Sequence, residues 1–221
     1  MTEKKRQLPV WQESILLVIT AMVMAVIVKT FFLQAFYIPS ASMEPTMLVD
    51  DKLLVQKVSY WAGEPTRGDI VVFDDPGGWL SEADSRRANN ALQRGLETVG
   101  LFPTGGHLIK RVIGVGGDEI VCCTEAGKLT VNGKALDEPY LLEPNSPASE
   151  LQFDVKVPKN HLWVMGDNRG NSADSREHLG DPGGGFISED SVVGKAWLRV
   201  WPWNRAGFIH KPESFEAVND K

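Results

Sequence analysis

Cysteine is nearly missing from this chain: among 221 residues only Cys122 and Cys123 occur, side by side. A disulfide between neighbours is strained, so the adjacency points to two ordinary strand thiols rather than a redox pair. No further Cys exists to build a disulfide framework or a thiolate zinc site. Histidine is scarce as well. His107, His161, His178 and His210 show no ligand spacing such as H-x-x-x-H, so no metal is expected. Positive charge is in deficit: the formal net charge is −6, and the basic run Lys4-Lys5-Arg6 stands alone, which argues against nucleic acid as a partner. No G-x-G-x-x-G opens a helix after a strand and no P-loop is present, so no nucleotide and no other cofactor is expected. The G-x-S-x-G elbow of α/β-hydrolases is also absent.

What is present begins with a long apolar run. Residues 14–28 read SILLVITAMVMAVIV, and after Lys29 the apolar character resumes as TFFLQAFYI before Pro39. The first run alone is shorter than the roughly 20 residues a spanning helix needs, and the flanks supply the rest. A cleaved signal peptide or a buried core helix fits a run of this size. Apolar character continuing to Phe36 favours an uncleaved anchor. The sequence therefore divides into a cytoplasmic segment over 1–13, a transmembrane anchor over 14–36 and an extracytoplasmic domain over 37–221. Lys4, Lys5 and Arg6 before the anchor set that orientation, and Trp11 suits the headgroup level.

From Leu48 onward the pattern is β. KLLVQKVSYW, GDIVVFDD, HLIKRVIGVGGDEIVCC, KLTVNGKAL, FDVKVP, HLWVMGD and VVGKAWLRVWPW are β-branched, apolar runs bounded by Gly, Pro and Asp. Asn132-Gly133 is a type I′ hairpin signal, with further turns at Gly116-Gly117-Asp118 and Pro158-Lys159-Asn160. The exception is 81–99, polar and rich in helix formers, with Leu92, Leu96 and Val99 at helical spacing; it predicts a small helical insertion. Residues 139–149 are turn-rich and predict a surface stretch. The expected fold class is mainly β: an antiparallel domain on one N-terminal helix.

Three clusters carry possible chemistry. Pro39-Ser40-Ala41-Ser42-Met43-Glu44-Pro45-Thr46 is a stiff, small-residue loop that can present a hydroxyl; a loop like this is also an ordinary linker. In Gly106-His107-Leu108-Ile109-Lys110-Arg111-Val112-Ile113, strand alternation sets Lys110 with Leu108 and Val112, and Arg111 with Ile109 and Ile113. At least one of these bases sits among apolar neighbours. Burial of Lys110 would lower its pKa toward what a general base needs, which arginine cannot match; a lysine snorkelling from an edge strand fits the same residues. The third cluster is Met165-Gly166-Asp167-Asn168-Arg169-Gly170-Asn171-Ser172-Ala173-Asp174-Ser175-Arg176, dense enough in paired charges to be a self-sufficient surface loop.

Together, in order and detail, they resemble the boxes of the bacterial type I signal peptidases, a Ser-Lys protease family: IPSASMEPTM, RGDIVVF, KRVIGVGGD and GDNRGNSADSR. The resemblance runs from Phe36 to Arg176 and is weakest over the insertion and beyond Lys211. It implies Ser42 as nucleophile and Lys110 as general base, with Ser40 joining the backbone N–H of Ser42 in an oxyanion hole. It implies that Ser172 hydrogen-bonds and orients Lys110, that Asp174 and Arg176 brace the site, and that Asp167 and Arg111 support it. The implied activity is removal of signal peptides from translocated preproteins, cutting after small residues. The implied partners are those signal peptides and the lipid bilayer, with the secretion translocon as a further one. A soluble self-cleaving Ser-Lys protease, a Ser-His-Asp hydrolase using His107 or His161, and a tethered peptide-binding module are the rival readings.

Overall fold

The computed structural model describes residues 9–28, 32–61, 63–80 and 106–219. The insertion expected over 81–99 and the basic residues Lys4 to Arg6 lie outside them. The N-terminal apolar run forms α1 (Val10–Ile27), with Trp11 in its first turn and no residue buried against the protein. Its 18 residues span about 27 Å at about 1.5 Å each, close to the hydrocarbon thickness of a bilayer. One N-terminal apolar helix left uncovered fits a membrane anchor.

The helix does not continue through the whole expected anchor. Leu33–Tyr37 is instead a strand, β1, antiparallel to β2 (Lys52–Gln56), with Leu33 opposite Gln56 and Tyr37 opposite Lys52. The physical reason is packing: Phe36 lies against the core cluster of Ile38, Met43 and Leu53, and aromatic residues suit a half-buried pleated surface.

The other strands are β3 (Ile70–Asp74), β4 (His107–Val115), β5 (Glu119–Cys122), β6 (Thr130–Val131), β7 (Lys134–Ala135), β8 (Phe153–Lys156), β9 (His161–Met165), β10 (Ile187–Ser188), β11 (Val192–Trp201) and β12 (Gly207–Phe208). The larger sheet runs β1-β2-β11-β3-β4-β9-β10, with β12 on β11; the smaller runs β7-β6-β5-β8. All pairings are antiparallel. The mainly antiparallel β class predicted from the run pattern is the observed one. Asn132 and Gly133 take φ of 52° and 76°, the left-handed pair a type I′ turn requires, and they join β6 to β7.

The larger sheet buries both faces. Leu53, Val55, Ile70, Val72 and Ile109 pack on one side with Ile38, Met43 and Met47. Val71, Phe73, Leu108, Val112, Leu162 and Val164 pack on the other. A third cluster, around Ile113, Ile120, Phe153, Trp163 and Met165, joins the two sheets. The chain's last described segment, a short turn (Glu213–Phe215) and α2 (Glu216–Asn219), docks onto this cluster through buried Phe215 and Val218.

Two local expectations change. The stretch 139–149 is not wholly surface: Leu141, Ala148 and Ser149 are buried. Leu142 N–H donates to Asp167 O at 3.3 Å and Arg169 Nη1 to Ala148 O at 3.1 Å, which pins the stretch to the turn after β9. Cys122 and Cys123 are joined as a vicinal pair instead of standing as separate strand thiols. The regular alternation of β5 ends at Cys122, so the two side chains are no longer held on opposite faces, and both sulfurs lie 3.8 Å from Ser149 O.

Candidate active site

The loop after β1 is built to hold a hydroxyl still. Ile38 is buried, Ser40 is extended at φ −127° and ψ 156°, and Ala41–Met43 closes into a single 3-10 turn. Met43 and Met47, both fully buried, plug this loop into the core between β2, β3 and β4. Ser42, itself buried, is fixed from below by the turn after β9: Asn168 N–H donates to Ser42 O at 3.1 Å, and Asn168 Nδ2 to Ala41 O at 3.1 Å.

Lys110 approaches from the middle of β4. Its Nζ lies 2.9 Å from Ser42 Oγ, and Ser40 Oγ lies 3.3 Å from the same oxygen. Lys110 is only 4 % exposed. Burial, opposed by Asp174 and reinforced by Arg176, lowers its pKa to about 8, because an ammonium taken out of water is disfavoured. A substantial fraction of Lys110 is therefore neutral near pH 8, and a neutral amine beside a hydroxyl can accept its proton.

Two buried ion pairs enclose this contact. Asp174 accepts from Arg176 Nε at 2.9 Å and Nη2 at 2.8 Å, and from Gly166 N–H at 2.9 Å. Burial alone would raise the Asp174 carboxyl; Arg176 and the Gly166 N–H outweigh it and hold it below the usual range. Arg111, on the opposite face of β4 from Lys110, grips Asp167 through Nε at 2.8 Å and Nη2 at 2.6 Å. Asp167 also accepts from Thr46 Oγ1 at 2.6 Å, tying the Ser42 loop to the turn after β9.

Ser40, Ser42, Lys110, Arg111, Asp167, Ser172, Asp174 and Arg176 thus converge, with one difference. The hydrogen bond expected between Ser172 and Lys110 is not formed: Ser172 Oγ is buried without a partner among the described residues. The Lys110 amine is directed at Ser42 Oγ, while Ser172 Oγ lies over Gly166, where an added Cβ would stand 2.2 Å from it. Sequence reasoning also missed the parts played by Thr46, Gly166 and Asn168. All three lay within clusters already singled out, but a hydroxyl tie, a close approach of backbone and a backbone anchor cannot be told from ordinary loop residues by sequence.

Among the described residues no three His, Cys, Asp or Glu side chains converge on a metal-sized site. The sequence pattern of the family described as signal peptidase, peptidase S26, matches residues 11–201. The chain belongs to the signal peptidase family, peptidase S26. It is 39% identical over 95% of its length to a probable signal peptidase I of Mycobacterium leprae, covering 82% of that protein. It is 39% identical to a signal peptidase I of Mycobacterium tuberculosis, covering 90% of this chain and 75% of the relative. A probable signal peptidase I-2 of Synechocystis is 37% identical, covering 98% and 87%. Membership makes the chain a serine endopeptidase of the signal peptidase I kind, a peptide hydrolase that acts on signal-peptide-bearing preproteins.

Proposed function

We propose that this S26 peptidase is held in the membrane by α1 and cuts preproteins after small residues with Ser42 as nucleophile and Lys110 as general base. The observation that carries this is the 2.9 Å contact between Lys110 Nζ and Ser42 Oγ in a buried setting. Neutral Lys110 takes the Ser42 proton as Oγ attacks the carbonyl carbon before the cut. The oxyanion that forms is met by the Ser40 hydroxyl and the Ser42 N–H, a stabilisation worth roughly 3–4 kcal/mol for one good donor. Protonated Lys110 then gives its proton to the leaving amine, and an ester on Ser42 remains. The amine that leaves is the new N-terminus of the mature part. In the second half Lys110 takes a proton from water, the hydroxide attacks the ester, and the ester bond breaks to free the signal part as a carboxylate. Lys110 returns the proton to Ser42 Oγ.

The edge of β4 supports binding of an extended substrate. β4 pairs with β3 from His107 to Arg111, whereas β9 joins its other edge only from Arg111 onward. Among the described strands nothing pairs with that second edge over 107–109, next to Lys110, so a peptide can add there as a strand. Its side chains then alternate, and the first and third residues before the cut face the same way. Phe32 and exposed Trp61, 5.6 Å apart, stand where the chain leaves α1 and suit the headgroup level. Of the tryptophans in AWLRVWPW, Trp197 packs on Phe208, while Trp201 and Trp203 are exposed and available to the same interface.

The test is cleavage in detergent of a preprotein with Ala at the first and third positions, with the cut located by N-terminal sequencing of the product. Replacing both Ala by Phe is expected to stop cutting. Because the reaction needs neutral Lys110, kcat/KM is expected to rise with pH through about 8 and level off above it. An optimum near pH 5 would sink the assignment of the base.

A further inference from the structure

Behind the site lies a second buried assembly. Tyr140, in the stretch after β7, lays its ring against Arg111, with the guanidinium carbon 4.2 Å from the ring centroid. The Tyr140 hydroxyl donates to Glu138 Oε1 at 2.6 Å. Glu138 in turn pairs with Arg169 at 2.5 Å, with both side chains buried. Arg169 Nε donates to Gly166 O at 3.0 Å, and Arg169 O accepts from Arg176 Nη2 at 2.9 Å. On its far side Tyr140 stacks on Phe215 of the C-terminal segment, centroids 5.9 Å apart and planes 23° apart.

These contacts form two arms that meet at one ring. Through Arg111 and Asp167, Tyr140 bears on the start of the turn after β9; through Glu138 and Arg169 it bears on Gly166 in the same turn. That turn carries Asn168, whose N–H and side-chain amide hold the carbonyls of Ser42 and Ala41. We propose that Tyr140, backed by Phe215, is a positioning residue that sets the place of Ser42 against Lys110 by bracing both arms of the 166–169 turn. The inference rests on the Ser42–Lys110 reading above. It follows from the energetics of the parts: a guanidinium over an aromatic face is held more firmly once desolvated, and each buried ion pair needs its remaining donors and acceptors satisfied. Burial keeps the Tyr140 hydroxyl protonated, raised well above its ordinary value, so it stays a donor to Glu138 throughout the working pH range.

The experiment compares full-length wild type, Tyr140→Leu, Tyr140→Phe and Phe215→Leu in detergent, measuring kcat, KM and Tm. Tyr140 touches no reacting atom, and a displacement of Ser42 by a fraction of an ångström alters alignment rather than substrate capture. Tyr140→Leu is expected to lose kcat by roughly tenfold to a hundredfold with KM unchanged. Tyr140→Phe keeps the ring over Arg111 and drops only the Glu138 bond, so most of kcat should return; Phe215→Leu should fall between them. Phe153→Leu, a core change on β8 against Trp163, supplies the comparison: it should lower Tm while leaving kcat in place. A Tyr140→Leu enzyme with wild-type kcat overturns the proposal. So does a kcat loss no larger than that of Phe153→Leu at equal Tm, or a change confined to KM. If Ser42→Ala cuts as well as wild type, the dyad reading itself has failed, and the positioning role of Tyr140 falls with it whatever the Tyr140 series shows.

Discussion

Lys110→Arg is expected to lower preprotein cleavage on the order of a thousandfold, with Ser42→Ala at least as inactive. The arginine result is the more telling, because it keeps a positive charge on a long side chain in the same strand. Guanidinium does not give up its proton at any accessible pH, so Ser42 has no acceptor for its own. Lys110→Met should be equally inactive but more stable. Burial lowers the Lys110 pKa from 10.5 to about 8, and at about 1.4 kcal/mol per pH unit the protonated side chain costs the fold up to about 3 kcal/mol. The sign follows from proton counting. Between about 8 and 10.5 the folded chain binds fewer protons at this site than the unfolded chain. The Lys110 contribution to stability therefore rises with pH across that window and is lowest and flat below it. Urea titrations at pH 7 and pH 10 check this: the advantage of Lys110→Met should be largest at pH 7 and mostly gone at pH 10. Equal stability of the two proteins at pH 7 would show that Lys110 carries no burial penalty. Lys110→Arg that still cuts would remove lysine from the mechanism.

Gly166→Ala should be nearly as damaging, for a reason of space. A Cβ on Gly166 would stand 2.2 Å from Ser172 Oγ, 2.6 Å from Ser172 Cβ and 2.4 Å from the carbonyl oxygen of Ser42. A hydroxyl can rotate away; a backbone carbonyl in a loop plugged by Met43 and Met47 cannot. The turn after β9 must therefore part from the Ser42 loop. The expected result is a loss of about 1–3 kcal/mol of stability and on the order of a hundredfold in kcat/KM. In the double variant Gly166→Ala/Ser172→Gly the clash with Ser172 disappears but that with the Ser42 carbonyl persists. Stability should then recover in part while the rate stays low. Full recovery of the rate would show that Ser172, not the Ser42 loop, was the obstacle.

Much of this was readable in advance, and the pattern of what was not is physical. Alternation along HLIKRVIGV put Lys110 and Arg111 on opposite faces of one strand, and the observed partners, Ser42 for one and Asp167 for the other, follow from that. Asn132-Gly133 marked its hairpin because few residue pairs accept two left-handed conformations. By contrast, Leu33–Tyr37 was hidden inside an apolar run, since hydropathy does not distinguish a membrane segment from a strand packed on a core. Tyr140 and Leu141 lay in a turn-rich stretch held by contacts with residues distant in the chain, among them Arg111, Asp167, Arg169 and Phe215. Ser172 pointed to Lys110 by resemblance, while its actual place is decided by the absence of a side chain on Gly166.

The contacts that hold Ser42 in place link parts of the chain made far apart in time. Lys110 is 68 residues from Ser42, Asp167 is 121 from Thr46, and Asn168 is 127 from Ala41. Such closures are entropically unfavourable until the strands between them have formed. A nascent chain that stops short of residue 110 holds the serine but neither the lysine nor the turn that fixes it. On the proposed dyad, the site therefore cannot be assembled until the residues through Asn168 have been made.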